Sequence, residues 1–187
     1  AKLDHLYGHD SYKNYNALIL DRDTIIYASG ISYTIYNHFT KERKIMYSKD
    51  KGGIGAIAVH PSKQYFAVAE KGSWPNIYIY EFPSLRLYRV IRKGTERSFS
   101  CISFSGSGDM LASVGSDPDY LLTVWIGTVA NATEIESIQP GSVPSQFQPI
   151  QLKMDPTSGT GHIRFWRIAS TFTGMKLKGD IAKFGQF

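Results

Sequence analysis

Cysteine is nearly absent from the sequence, because the 187 residues contain only one, Cys101. A single cysteine excludes an internal disulfide, and no CxxC pair is present that could bind zinc. Cys101 lies in the alternating run FSCISF (99–104), which predicts a buried, unreactive thiol rather than a nucleophile. A reducing compartment, the cytosol or the nucleus, is therefore expected.

Long hydrophobic runs are missing as well. No apolar stretch approaches the roughly 20 residues that a membrane-spanning helix needs. The first ten residues, AKLDHLYGHD, lack the apolar core of a secretion signal, so secretion is not expected. Hydrophobic residues nevertheless make up 42% of the sequence, which is enough for one folded domain with a substantial core.

Motifs for catalysis and cofactor binding are absent or misplaced. The sequence contains neither a Walker phosphate-binding loop nor a G-x-S-x-G nucleophile elbow. GIGAIA (53–58) fits a loose dinucleotide-binding pattern, but it opens a strand where that pattern requires a helix. His5 and His9 have a zinc-compatible spacing only on a helix, and no third ligand accompanies them. We therefore expect no catalytic, cofactor-binding or metal-binding residues and no enzymatic activity.

Aromatic residues are abundant, with twelve Tyr, ten Phe and three Trp, and part of the sequence repeats. IAVHPSKQYFAVAEKGSWPNIYIY (57–80) aligns without a gap with ISFSGSGDMLASVGSDPDYLLTVW (102–125), at an offset of 45 residues. Two weaker copies lie at 23–37 and 161–166. Tyr36 in the first is 44 residues before Tyr80, and Trp166 in the second is 41 residues after Trp125. These intervals match the length of one β-propeller blade, about 40–45 residues.

Each repeat divides into short strands separated by turns. In the first repeat, apolar alternation predicts a strand around 57–59, followed by YFAVAE (65–70), NIYIYEF (76–82) and LRLYRVI (85–91). The second repeat has the same order, with SCISF, MLASV and LLTVW. Four short strands spaced by about ten residues predict antiparallel sheets and an all-β fold.

LASVGSDPDYLLTVW (111–125) resembles the second and third strands of a WD-repeat β-propeller blade. The resemblance implies that Ser113, Asp119 and Trp125 brace a blade through side-chain hydrogen bonds. Tyr80 and Trp166 take the tryptophan position in other repeats. Ile126 replaces the aspartate that names the family, and no Gly-His pair begins the repeats, so the bracing network is expected to be partial.

This resemblance implies a partial WD-repeat β-propeller of about three to four blades. Most propellers need four to eight blades, so we expect a larger ring, completed by more of the same chain or by another chain. The predicted division is an N-terminal extension (1–14), propeller blades (15–170) and an exit segment (171–187). Within the blades, 126–157 is expected to be divergent or irregular.

Four stretches resemble, more narrowly, WD-repeat proteins of motile cilia: GGIGAIAVHPSKQYFAVAEKG, IYIYEFPSL, LASVGSDPDYLLTVW and GHIRFWRIASTFTGMKLKGDIAKFG. The resemblance covers roughly 15–125 and 158–187. It implies a scaffold in the axoneme, within a tether and tether-head complex that connects inner-arm dynein to doublet microtubules and regulates beating. The implied partners are dynein, microtubules and sister tether subunits, without a small-molecule substrate, membrane or nucleic acid. The alternative is a WD-repeat adaptor outside cilia that binds peptides or RNA.

Two further features allow more than one interpretation. Asp117-Pro118-Asp119 could be a carboxylate pair, but its place between two predicted strands favours a turn. Trp74 lies in the polar turn KGSWPN, where it either anchors a partner or packs on a neighbouring loop.

The net charge of +5 is concentrated in two stretches, 41–51 and 86–97, and the C-terminal segment adds Lys176, Lys178 and Lys183. Clustered cations attract acidic partners such as tubulin surfaces, although solvated loop residues are the alternative. The candidate contact residues in these stretches are Lys41, Arg43, Lys44, Arg86, Arg89, Arg92 and Lys93.

Overall fold

The computed structural model describes residues 8, 16–117, 121–126, 136–138, 155–159, 162–171 and 174–181. Every regular element among them is a β-strand. Sheet 1 contains β1 (Ala17–Ile19), β2 (Thr24–Ser29), β3 (Ser32–Asn37) and β4 (Arg43–Tyr47), and sheet 2 contains β5 (Ile54–Val59), β6 (Tyr65–Glu70), β7 (Ile77–Glu81) and β8 (Leu87–Ile91). Sheet 3 contains β9 (Phe99–Phe104), β10 (Met110–Gly115), β11 (Leu122–Ile126) and β12 (Glu136–Ile138), and sheet 4 contains β13 (Asp155–Gly159), β14 (His162–Thr171) and β15 (Gly174–Ile181).

The all-β prediction is confirmed, and the sheets have the form of propeller blades. In sheets 1 to 3 the four strands lie side by side in chain order, and each sheet-1 and sheet-2 strand pairs antiparallel with the next. The chain divides into two compact units, Ala1–Ser137 and Ile138–Phe187. In the second unit, β13, β14 and β15 form an antiparallel sheet of their own.

Strand pairing confirms the 45-residue repeat. In sheet 2, Phe66 pairs with Val59 on one side and with Tyr80 on the other. In sheet 3, Leu111 pairs with Phe104 and with Trp125 in the same way. Since each of these positions in sheet 3 is 45 residues beyond its counterpart, the two sheets share one register.

Sheet 2 is buried on both faces, because side chains alternate between them along each strand. Phe66 and Val68 belong to a cluster with residues of sheet 1, whereas Ala67 and Ala69 belong to a cluster with residues of sheet 3. Burial on both sides explains why this sheet is apolar throughout rather than alternating between apolar and polar residues.

The prediction that Cys101 is buried is wrong, because its side chain is exposed. Adjacent residues of a strand point to opposite faces, and Ile102 occupies the buried face of β9. Partial desolvation nevertheless raises the pKa of the Cys101 thiol, which favours its unreactive protonated form.

One predicted strand boundary differs from the observed one because a residue there has a positive φ. The strand predicted over 85–91 begins at Leu87, because Leu85 has a φ of 57° and still belongs to the preceding turn. Strand β14 (His162–Thr171) covers most of the weaker repeat copy at 161–166. Beyond it, β15 (Gly174–Ile181) occupies much of the stretch predicted as an exit segment. Over the described residues no helix is long and apolar enough to cross a membrane.

Candidate interaction surface

Trp125 and Ser113 form a buried hydrogen bond inside sheet 3. The indole Nε1–H of Trp125 donates to Ser113 Oγ at 2.9 Å, and the two residues are 2% and 0% exposed. The bond joins β11 to β10, so it braces the sheet internally. Asp119, the third residue implied by the family resemblance, lies outside the described residues. So does the side chain of Trp166.

Tyr80 replaces the tryptophan in sheet 2, and packing replaces the hydrogen bond. The residue that corresponds to Ser113 is Val68, which has no hydroxyl. Tyr80 instead stacks on Phe66, with ring centroids 5.4 Å apart, and contacts Tyr33 of sheet 1 at 6.2 Å. Because Tyr80 is buried like Trp125, neither aromatic residue is available as a stacking surface for a ligand.

Glu70, at the end of β6, holds the connection between sheets 1 and 2. Its carboxylate accepts hydrogen bonds from Ser48 Oγ (2.6 Å) and from the backbone N–H groups of Lys49 and Asp50 (both 2.7 Å). The side chain is 1% exposed, so the three donors take the place of water. No motif in the sequence marks Glu70 for this role. Its one signal was an acidic residue at the end of an otherwise apolar strand.

Asp50 extends this arrangement toward β7. Its carboxylate accepts hydrogen bonds from the Nδ2 of Asn76 (2.9 Å) and the hydroxyl of Tyr78 (2.9 Å). Burial, and then the hydrogen bond with Asp50, raise the pKa of Tyr78 to about 12. Two carboxylates therefore fasten the loop between β4 and β5 onto sheet 2, and both are engaged in structural contacts.

His60 links sheets 2 and 3 at the opposite end. Its Nδ1 accepts from the backbone N–H of Ser62, which leaves Nε2 to donate to the carbonyl oxygen of Gly108 at 3.1 Å. An added Cβ at Gly108 would lie 2.2 Å from Nε2, and its φ of +83° also disfavours other residues. This histidine is used in packing between two turns, and sequence reasoning alone did not assign it that role.

Backbone hydrogen bonds join the three sheets at the end where Glu70 lies. The N–H of Ile54 donates to Gly30 O (3.1 Å), that of Lys71 to Gly53 O (2.9 Å), that of Gly72 to Arg97 O (2.8 Å) and that of Ser116 to Ser98 O (2.9 Å). These contacts bring together five loops, which we call the basic end: 30–31, 48–53, 71–76, 92–98 and 116–117.

Asp117-Pro118-Asp119, predicted to be a turn, follows β10 in the chain, and only its first residue belongs to the described part, so the turn stays a prediction. Asp117 is exposed at the basic end, and the two residues after it lie outside the described part of the chain.

Trp74 projects from the basic end. Its indole is 62% exposed, whereas the following Pro75 is buried. The backbone N–H of Trp74 donates to Glu96 O at 2.9 Å, and its φ is 54°. Of the two interpretations left open for Trp74, this exposure favours the one in which it is available to a partner.

The cations predicted as contact residues divide into two groups. Those on or beside the edge strands β4 and β8 have partners. Arg86 forms two hydrogen bonds with Glu81, and Lys44 lies 3.8 Å from Glu42. The guanidinium of Arg43 lies over the ring of Tyr36, and that of Arg89 lies over the ring of Tyr88. Charged residues on an edge strand also discourage unwanted strand pairing.

The second group, Arg92 and Lys93, is exposed in the loop between β8 and β9. Lys41 is exposed in the β3–β4 turn with a φ of 62°. The structure therefore does not bring all the predicted contact residues into one surface.

The geometry offers few groups for chemistry. Among the described residues, no three His, Cys, Asp or Glu side chains are grouped so that they could hold a metal ion. His5 and His9 lie outside those residues. The groups most suited to acid–base work, Glu70, Asp50 and His60, instead join one part of the fold to another.

No family model matches the chain. Over 192 residues it is 41% identical to cilia- and flagella-associated protein 44 of Mus musculus, an alignment that covers 98% of this chain and 10% of that protein. The protein of the same name from Chlamydomonas reinhardtii is 42% identical (99% and 11% covered), and that from Trypanosoma brucei brucei is 34% identical (96% and 10% covered). The chain is homologous to a segment of cilia- and flagella-associated protein 44.

The predicted resemblance to ciliary proteins is thereby confirmed. The chain spans about a tenth of the length of the relatives it matches. Because the alignment with the mouse protein covers 98% of the chain, it runs through 126–157, where the resemblance was expected to stop.

Proposed function

We propose that this chain is part of a non-enzymatic scaffold in the axoneme of motile cilia and flagella. The observation that carries the proposal is the homology over 96–99% of the chain to proteins named for cilia and flagella in a mammal, an alga and a trypanosome. A segment kept similar over its whole length in such distant organisms fits a shared structural role in the organelle that their names specify.

The contacts within the fold support the non-enzymatic part of the proposal. Glu70 and Asp50 use their carboxylates to fasten a loop, and Ser113 uses its hydroxyl to hold Trp125. An active site needs such groups directed toward a substrate. Here they stiffen the blades and the connections between them, which suits a platform for other proteins.

We propose further that the scaffold belongs to a tether and tether-head complex between inner-arm dynein and doublet microtubules, where it restrains the motor and so regulates beating. In this arrangement the blades occupy 15–170, with 126–157 as a divergent part, between an N-terminal extension and an exit segment. The family resemblance supports this assignment, and the exposed cations of 41–51 and 86–97 suit acidic microtubule surfaces.

Localisation tests the first proposal. The tagged protein that contains this chain should stay with the axoneme when ciliated cells are extracted with detergent, because a scaffold is bound to the microtubule framework. Recovery in the detergent-soluble fraction, with none on axonemes, would instead favour an adaptor outside cilia.

A salt series tests the contact with microtubules. Purified chain should co-sediment with doublet microtubules at low salt, and binding should weaken steadily between about 50 and 300 mM salt as the exposed charges are screened. Binding that does not change with salt would rule out the electrostatic contact.

A further inference from the structure

The two ends of sheets 1 to 3 differ in charge. The basic end carries six cations and three acids, whereas the opposite end carries four of each within the described turns 20–23, 38–42, 60–64, 82–86 and 105–109. One of the three acids, Asp50, is already bonded to Asn76 and Tyr78. The excess of positive charge is therefore concentrated at the end from which Trp74 projects.

Trp74 combines an exposed ring with a constrained backbone. A φ of 54° is unfavourable for a residue with a large side chain, and the surrounding structure must stabilise it. The hydrogen bond to Glu96 and the burial of Pro75 supply this constraint. The indole itself makes no aromatic or cation–π contact with any described residue, so its own packing does not explain the constraint. An exposed indole on a constrained backbone is the kind of group that anchors a partner.

The loop that carries this indole runs beside a second loop, and both loops contain cations. Lys71 forms an isolated β-bridge with Ser98, and Gly72 donates to Arg97 O. The loop that contains Lys93 and Arg97 therefore passes next to the loop that contains Lys71 and Trp74. Lys93 and Arg97 are exposed, and Lys71 is half-buried.

We propose that Lys71, Trp74, Lys93 and Arg97 form a docking site for an extended acidic peptide segment of a protein partner. This docking site extends the proposed function. The inference that its partner is a protein rests on that function. The partner's carboxylates would contact the cations, and an apolar side chain or peptide plane would lie against the indole. Nucleic acid fits less well, since single strands are bound by several stacking aromatic residues along a basic groove, and the described part of this end offers one.

Peptide binding to the purified 187-residue chain tests the site. The probe is a fluorescent peptide of about twelve residues, rich in glutamate with one central leucine, measured by anisotropy at low and physiological salt. Trp74→Asn removes the indole with a residue that tolerates a positive φ, so the fold should be kept. We expect it to weaken binding about 30-fold, the effect typical of an anchor residue.

Charge reversal provides the second measurement. Lys93→Glu with Arg97→Glu should weaken binding at least tenfold and flatten its salt dependence. The matched controls lie at the opposite end, where Phe39 is 80% exposed and Lys41 is exposed. Phe39→Ala and Lys41→Glu should leave binding within twofold.

Three outcomes would overturn the docking site. They are no peptide binding, equal effects of the variants at both ends, and tighter binding of poly(U) RNA than of the peptide. None of these affects whether the protein is found in axonemes, so failure of the docking site remains distinct from failure of the proposed function.

Discussion

Replacing Glu70 with glutamine should loosen the connection between sheets 1 and 2. The substitution keeps the shape of the side chain but removes its charge and turns one oxygen into an N–H₂ group. In the native chain, Oε1 accepts from Lys49 and Oε2 accepts from Ser48 and Asp50. An amide nitrogen in either place faces a backbone N–H, so at least one partly buried donor loses its acceptor.

The expected loss follows from those contacts. A fully buried donor without an acceptor costs about 1–3 kcal/mol, so a partly buried one falls toward the lower end of that range. The remaining hydrogen bonds also lose their charge assistance. Desolvation opposes this loss, because a neutral amide is easier to bury than a carboxylate. Because three donors surround this one carboxylate, the free energy lost with the hydrogen bonds exceeds the free energy gained from the lower desolvation cost. We expect the free energy of unfolding to fall by about 2–3 kcal/mol, which lowers the melting temperature by roughly 4–12 °C.

Thermal and urea unfolding followed by circular dichroism measure this change. Glu42→Gln is the matched control, because Glu42 is exposed and lies 3.8 Å from Lys44, so its loss should cost no more than about 0.5 kcal/mol. Amide hydrogen exchange adds a local readout, since Lys49 and Asp50 should exchange faster in the variant. Equal stability of Glu70→Gln and the native chain, with unchanged exchange at both amides, would refute the role assigned to Glu70.

Two other predictions follow from single contacts. Ser113→Ala should lower the free energy of unfolding by about 1–3 kcal/mol, because the buried indole N–H of Trp125 loses its acceptor. In the background of Trp125→Phe the same change should cost much less, and equal costs in both backgrounds would contradict the hydrogen bond. The folded-state pKa of Tyr78, about 12, exceeds the ordinary value of 10.0, so its contribution to stability is present below pH 10 and lost as pH rises toward 12. Tyr78→Phe should therefore lose less stability between pH 9 and pH 11 than the native chain, in urea unfolding at each pH; a parallel decline would count against the perturbed tyrosine.

The regular features of this fold are local, and for that reason they could be predicted. Alternation along YFAVAE and NIYIYEF reports burial over neighbouring residues, and the turns between strands depend on residues next to one another. The repeat could also be predicted, since each sheet needs the same order of strands and turns. Cys101 shows the limit, because alternation indicated a strand without saying which face would be covered.

Contacts between sheets could not be predicted in the same way. Glu70 meets residues 20–22 positions earlier, and His60 meets Gly108, 48 positions later, once the sheets pack together. The candidate docking site depends on this packing as well, because the loop of Lys71 and Trp74 meets the loop of Lys93 and Arg97 only through tertiary pairing. The sequence by itself determined the strands, their repeat and the ciliary kinship. The tertiary structure alone decided which polar groups are used within the fold and which remain exposed at one end, since that depends on distances between residues far apart in the chain.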